Sequence, residues 1–421
     1  MKITSRKLFR LQTGSSKGIL VASLLTILIL TVNCADEPIP ADAQAIPLRA
    51  ALLKRVQQDN AFAFDLIRNT ILTTNEANVF VSPFSVSTAL GMTRNGAMGT
   101  TKTEMDSVLR IKGFSDDEIN EYYRVMVSTL PGIDPTTKLI LANSIWLRMG
   151  FNVKPNFLRL NADNFDAYIK SLDFSKSWAV DSINNWCASK TNNLIQKPLD
   201  QIPTDAMVYL VNTIYFKGIW CKQFDPKSTK EDDFTTDAGN IVKVNMMRLK
   251  DTFNYSIDSN AQYLDMPYGN KAFSMTVILP NEGKSVFNVL NALSGESWNA
   301  LLSGMHMQEV QVYFPRFKAQ NKFSLKEALE NMGMKLAFSP YANFRQIADT
   351  NLCINRVLHD TYVEVTEKGT VAAAATVVEI GLTSIAMPAI FNVNKPFLFM
   401  IREKSTGVIL FIGKMGAIDK F

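Results

Sequence analysis

From position 50 apolar residues recur at helical spacing as far as Leu72, and a brief strand at 78–81 then runs into Ser82-Pro83, a pair that opens a new helix. Helical patterning returns at 102–111, 116–129 and 179–194. Strand patterning dominates the second half, at 208–215, 273–279, 309–314, 360–365, 397–401 and 407–412. No repeat or low-complexity linker interrupts 50–421, so the pattern predicts a single α+β domain.

The first 33 residues follow a different rule. Lys2, Arg6, Lys7, Arg10 and Lys17 precede an uncharged run from Gly18 to Val32, the layout of an export signal. That run is about 15 residues, short of the roughly 20 needed to span a bilayer, so it predicts cleavage rather than anchoring. Leu30-Thr31-Val32-Asn33-Cys34 resembles a bacterial lipobox, which implies acylation of Cys34 and a lipidated tether over 34–49, bearing Pro38, Pro40 and Pro47. The expected location is the cell envelope, lipid-anchored on the periplasmic side or the cell surface, or else secreted. Loss of the five leader charges takes the formal net charge from +5 to 0, and a neutral body offers nucleic acid no electrostatic footing.

Catalytic chemistry is sparse. The chain has two histidines, His306 and His359, and neither sits in a metal-ligand spacing. Gly14-Ser15-Ser16-Lys17-Gly18 matches GxSxG but lies in the leader, where no strand-to-helix elbow forms. Gly283-Lys284-Ser285 lacks the upstream glycine of a phosphate loop. Cys187, Cys221 and Cys353 are too irregularly spaced for a disulfide framework or a zinc site and read as buried free thiols. The chain is expected to be no enzyme and to need no metal or cofactor.

The unusual segment runs from Glu367 to Met387. Ala372 to Ala375 alone would favour helix, but Gly369 and Thr370 before them and Thr376, Val377 and Val378 after them favour extended chain. At period two, Thr370, Ala372, Ala374, Thr376, Val378 and Ile380 form one face without a charge, while Glu379 falls on the other. Such a ribbon can enter a sheet with one face buried. It sits in a connection of some thirty residues between predicted strands, a length that usually marks function.

Glu367-Lys368-Gly369-Thr370 followed by Ala372, Ala373, Ala374 and Ala375 resembles the hinge of a serpin reactive-centre loop. Other serpin-like segments follow in family order over 50–421. They are Asn78 to Ser85 (NVFVSPFS), Leu141 to Trp146 (LANSIW), Ile183 to Trp186 (INNW) and Val211 to Trp220 (VNTIYFKGIW). Phe314 to Phe317 (FPRF), Val357 to His359 (VLH), and Pro396 to Phe399 with Thr406-Gly407 complete the set. The resemblance implies helices packed on three β-sheets with an exposed reactive-centre loop. It also implies a polar shutter of Ser85, Asn212 and His359 beneath the opening of the main sheet, and a breach marked by Trp220.

The implied activity is suicide inhibition of a serine protease by a monomer. The protease would attack the loop and form a covalent acyl complex, and the cut loop would then insert into the main sheet. Thr370 to Thr383 spans roughly 45 Å when extended, against a radius of gyration of about 21 Å for a domain this size, so the passenger would cross the molecule. Backbone hydrogen bonds and burial of the new strand nearly cancel its ordering entropy, so strain in the native sheet must supply the drive. The spacing that the resemblance implies, counted on from Glu367, places the scissile bond at Thr383-Ser384; counted back from Lys395-Pro396-Phe397 it gives Ile385-Ala386. No Lys or Arg occurs from Val371 to Asn394, so Leu382, Thr383, Ile385 and Met387 point to elastase-like or chymotrypsin-like targets, with papain-like cysteine proteases, which Leu382 would suit, as a second class. A non-inhibitory carrier, chaperone or scaffold is the alternative.

Overall fold

The computed structural model describes residues 43–370 and 388–420. Its helices are α1 (Ala50–Leu72), α2 (Pro83–Arg94), α3 (Gly99–Val108), α4 (Asp116–Thr129), α5 (Pro155–Phe165), α6 (Ser177–Lys190), α7 (Val286–Ala292), α8 (Gly295–Gly304) and α9 (Lys326–Asn331). The strands are β1 (Asn78–Val81), β2 (Lys138–Arg148), β3 (Ala167–Leu172), β4 (Val208–Ile219), β5 (Lys230–Thr235), β6 (Ile241–Ile257), β7 (Ala261–Pro267), β8 (Phe273–Pro280), β9 (His306–Pro315), β10 (Phe317–Ser324), β11 (Leu358–Thr366), β12 (Gly369–Thr370), β13 (Ala389–Asn392), β14 (Phe397–Glu403) and β15 (Ile409–Met415).

Local chemistry sets several of these ends. The Ser82 hydroxyl accepts from Ser85 N–H with Pro83 at the first helical position, so α2 starts where the Ser-Pro pair predicts. Ser115 and Glu118 form a capping box ahead of α4, with Asp116 and Asp117 in the positive first turn. Strands β8, β14 and β15 are buried along their whole length, which is why they read as continuous apolar runs. The 17-residue β6 carries Lys243 and Lys250 at exposed positions and Arg248 and Asp251 at half-buried ones, and gave no such run.

Two hydrogen-bonded sheets result. One has nine strands in the order β1-β15-β14-β8-β7-β6-β9-β13, with β5 also on β6; the other is β10-β11-β12-β4-β2-β3. Of the three sheets expected, the two smaller ones share β6, whose length lets Asn254–Ile257 pair with β7 while earlier residues pair with β5 and β9. Phe80 stacks against Phe399 and Phe411, with ring centroids 5.5 and 5.3 Å apart, and joins β1 to the core.

The six-stranded sheet is unusual at its centre. β12 is two residues long and bridges β11 to β4 only through Val365 and Thr366 on one side and Gly218 and Ile219 on the other. Beyond those two levels, no backbone ladder joins β11 to β4 among the described residues. The gap opens into a cavity of about 500 Å³.

Candidate functional site: the slot in the six-stranded sheet

The top of the slot is fastened by side chains from five separated places in the chain. Glu367, 3% exposed, accepts two hydrogen bonds from Arg316 Nε (2.7 and 2.8 Å) and one from the Thr229 hydroxyl (2.6 Å). Burial pushes its carboxyl up, but these donors outweigh burial and hold it below the usual glutamate value. Trp220 donates its indole N–H to Thr366 O (3.0 Å) and its backbone N–H to Lys368 O (2.9 Å). Its ring stacks on Tyr268 at 4.4 Å, and the Tyr268 hydroxyl meets Thr370 Oγ1 at 2.7 Å. Gly369 sits between these contacts at φ +142°, with a Cβ position only 2.1 Å from Gly218 O. Only glycine passes there.

Lower in the slot, the Ser85 hydroxyl donates to Asn212 Oδ1, and Asn212 Nδ2 donates to Asn143 Oδ1 (2.6 Å). Asn143 continues the chain to Phe165 O (2.6 Å). His359 joins this group indirectly: its Nε2 accepts the backbone N–H of Ser82 (2.9 Å), whose hydroxyl accepts from Ser85 N–H (3.3 Å). That ring nitrogen is therefore occupied and does not activate a hydroxyl. Burial holds the imidazole neutral, pushed down to about 4.

Of the residues singled out by sequence, Glu367, Gly369, Thr370 and Trp220 meet at the top of the slot, and Ser85, Asn212 and His359 line its lower cavity. Ala372 to Ala375, the bonds at Leu382 to Ala386, and Cys34 lie outside the described residues. Tyr268 and Thr229 were not foreseen, and Ser82, Asn143 and Arg316 were visible only inside longer motifs. Their roles depend on partners dozens to hundreds of residues away. Cysteines 187, 221 and 353 are free, but only Cys187 is buried; Cys353 is exposed in the irregular stretch before β11, against the expectation of three buried thiols.

A family model described as Serpin (serine protease inhibitor) matches residues 57–417. The chain belongs to the serpin family. "Intracellular coagulation inhibitor 2" of Tachypleus tridentatus is 34% identical over 370 residues, covering 85% of this chain and 89% of that one. The crystal structure of a thermophilic serpin, tengpin, in its native state is 33% identical with a TM-score of 0.81, covering 90% of this serpin and 98% of that chain. Human thyroxine-binding globulin in complex with its ligand is 27% identical with a TM-score of 0.79, covering 88% of this chain and 100% of that one. Family members are mostly protease inhibitors rather than catalytic enzymes, and protease inhibition is the general activity that goes with this fold.

The slot of this serpin carries two neighbouring groups with opposite pH responses. His359 is depressed to about 4 from 6.5, so on acidification the unfolded chain takes a proton first, and the stability present above pH 6.5 drains away down to about pH 4. Asp360 is raised to about 6 from 3.8 by burial, so its contribution is present in acid and lost as pH rises through 6. The two nearly offset each other. Between pH 7.5 and 5, His359→Gln is expected to retain about 2 kcal/mol more stability than the parent, and Asp360→Asn about 1 kcal/mol less, at about 1.4 kcal/mol per pH unit. Urea midpoints at the two pH values check this; variants that track the parent would assign the titration elsewhere.

Proposed function

We propose that this serpin is an irreversible suicide-substrate inhibitor of serine proteases that works by cleavage of its reactive-centre loop and insertion of the cut loop into the six-stranded sheet. The observation that carries the reading is the half-filled slot. Gly369 and Thr370 already sit as a two-residue strand between β11 and β4, above a length where neither neighbour is paired to the other. Continuing that antiparallel register carries Thr376 between His359 and Asn212. Thr370 and its partner Val365 both face the core, so the same continuation turns Ala372, Ala374, Thr376 and Val378 inward and Glu379 outward. That is the uncharged face found in the sequence.

The target class follows from the loop. With no Lys or Arg from Val371 to Asn394, the bond at Thr383-Ser384, or its alternative at Ile385-Ala386, suits elastase-like or chymotrypsin-like proteases. Papain-like cysteine proteases form a second target class. The inhibitor works as a monomer, held at the cell envelope by lipid on Cys34 after removal of residues 1–33.

Mixing the membrane-extracted chain with elastase-, chymotrypsin- and papain-type proteases tests the reading. The expected result is a complex that survives SDS with one of the serine proteases, a cleaved form that melts well above the intact one, and an intact mass carrying acyl chains at Cys34. Clean cleavage with no trapped complex and no thermal gain would turn the reading to a non-inhibitory carrier, the alternative favoured by the likeness to thyroxine-binding globulin.

A further inference from the structure

Residues 191–207, the connection from α6 to β4, form a strap over the lower slot. Ile195, Leu199, Asp205 and Met207 line the same cavity as Leu210 of β4 and Asp360 of β11. Two clasps hold the strap from its own side. Asn184 of α6 grips Leu199 both ways, donating to its carbonyl (2.7 Å) and accepting its N–H (3.0 Å). Arg148, at the end of β2, donates to Ala206 O (2.7 Å) and Thr204 O (2.6 Å).

The third clasp comes from across the slot. Lys322 of β10 reaches over β11 to Lys197 O (3.2 Å) and Asp200 Oδ2 (3.4 Å). In the β10–β11 register, however, Lys322 stands directly opposite Asp360. Such neighbours lie about 5 Å apart at Cβ, well within a lysine's reach. The pair is not made, and Asp360 Oδ1 is buried with no hydrogen-bond partner. A buried, unpartnered carboxylate oxygen is costly when charged.

We infer that Lys322 is shared between two carboxylates and sets how firmly the strap is closed: ionised Asp360 draws Lys322 off Asp200, and the loosened strap admits the incoming loop. The competition favours Asp360 once it is charged. Asp200 is 80% exposed, so its pair with Lys322 is screened by water, whereas Asp360 is only half-buried as a residue but has its Oδ1 shut off from water and is screened less. In acid Asp360 is neutral and Lys322 stays on the strap. Burial places the change near pH 6, pushing the Asp360 carboxyl up to about 6. The charged and titratable groups around Asp360 are Lys322 of β10, Asp200 and Asp205 of the strap, Cys187 of α6, Tyr209 of β4 and Arg356 before β11. Cys187 is no competitor, its thiol being pushed up to about 12 by burial. His359 faces the other side of β11.

The coupling to loop entry rests on the inhibitory reading above; the closing of the strap does not. Hydrogen exchange of backbone amides 197–207 in the intact full chain at pH 5 and 7.5, corrected for intrinsic rates, reads the strap without any protease. The parent is expected to open about threefold more readily at pH 7.5, the scale of one exposed ion pair. Asp360→Asn, the same shape without the charge, should stay at the pH 5 level at both values, and Asp200→Asn should be open at both. Melting curves confirm that each variant is folded. A parent with no step, or an Asp360→Asn variant that keeps it, overturns the proposal. If the strap responds as expected in a chain that traps no protease, the switch stands and the inhibitory reading falls.

Discussion

Glu367→Lys is expected to unfasten the top of the six-stranded sheet and to lower the stability of the intact chain by about 3 kcal/mol. The wild-type carboxylate is almost fully buried and takes three hydrogen bonds, two from Arg316 and one from Thr229. Breaking a buried pair by removing one partner costs about 3–5 kcal/mol, and the partial exposure of Arg316 places the loss at the lower end. A lysine also sets two cations against each other where β12 joins the sheet. Urea midpoints of the intact protein measure the loss, and Arg316→Glu combined with Glu367→Lys should recover part of it. An unchanged midpoint in the single variant would mean that the clamp contributes nothing. The same change should shorten the time for which the inhibitor stays active at 37 °C, because the slot is no longer held at its upper end.

The second large effect is expected at Gly369. A Cβ there would lie 2.1 Å from Gly218 O, 2.8 Å from Ile219 Cα and 2.9 Å from Trp220 N, all backbone atoms of the neighbouring strand, in a conformation that side-chain-bearing residues rarely adopt. Gly369→Val should therefore expel β12 from the sheet and block the loop at its entry. The protease would then finish hydrolysis before it could be carried away. The number of inhibitor molecules consumed per protease trapped should rise at least about fivefold, since strain of about 1–3 kcal/mol is worth roughly five- to 150-fold in partitioning. Titration of residual protease activity gives that number directly. A variant that traps as efficiently as the parent would show that insertion does not pass through this position.

Much of the scaffold was legible before any coordinates. The spans 50–72, 78–81 and 116–129 match α1, β1 and α4 to the residue, because caps and periodicity are local signals. β5 and β10 escaped notice because much of each strand faces water, and β7 because Gln262 and Asp265 break its short, mostly buried run. The resemblance implied a breach marked by Trp220, but the stacking of that ring on Tyr268 was not foreseen. Tyr268 reaches it through an isolated bridge between distant segments, and nothing around either residue announces the pairing. For His359 the sequence suggested a shared polar cluster with Ser85 and Asn212. The cluster exists, with Ser82 and Asn143 as unforeseen links.

By itself the sequence determined that one ribbon, Thr370 to Ile380, can be buried on one face, because side chains alternate at period two and the charge falls on the other set. It also determined where α1 and α2 begin. Only the tertiary structure decided that β11 and β4 stand apart, that Arg316 and Thr229 fasten Glu367, and that Lys322 bypasses its register partner for the strap. Strand order in the sheet, β10-β11-β12-β4-β2-β3, pairs residues as far apart in sequence as Gly218 and Thr370. No local pattern encodes that order, because it is fixed by the simultaneous burial of many distant faces in one core.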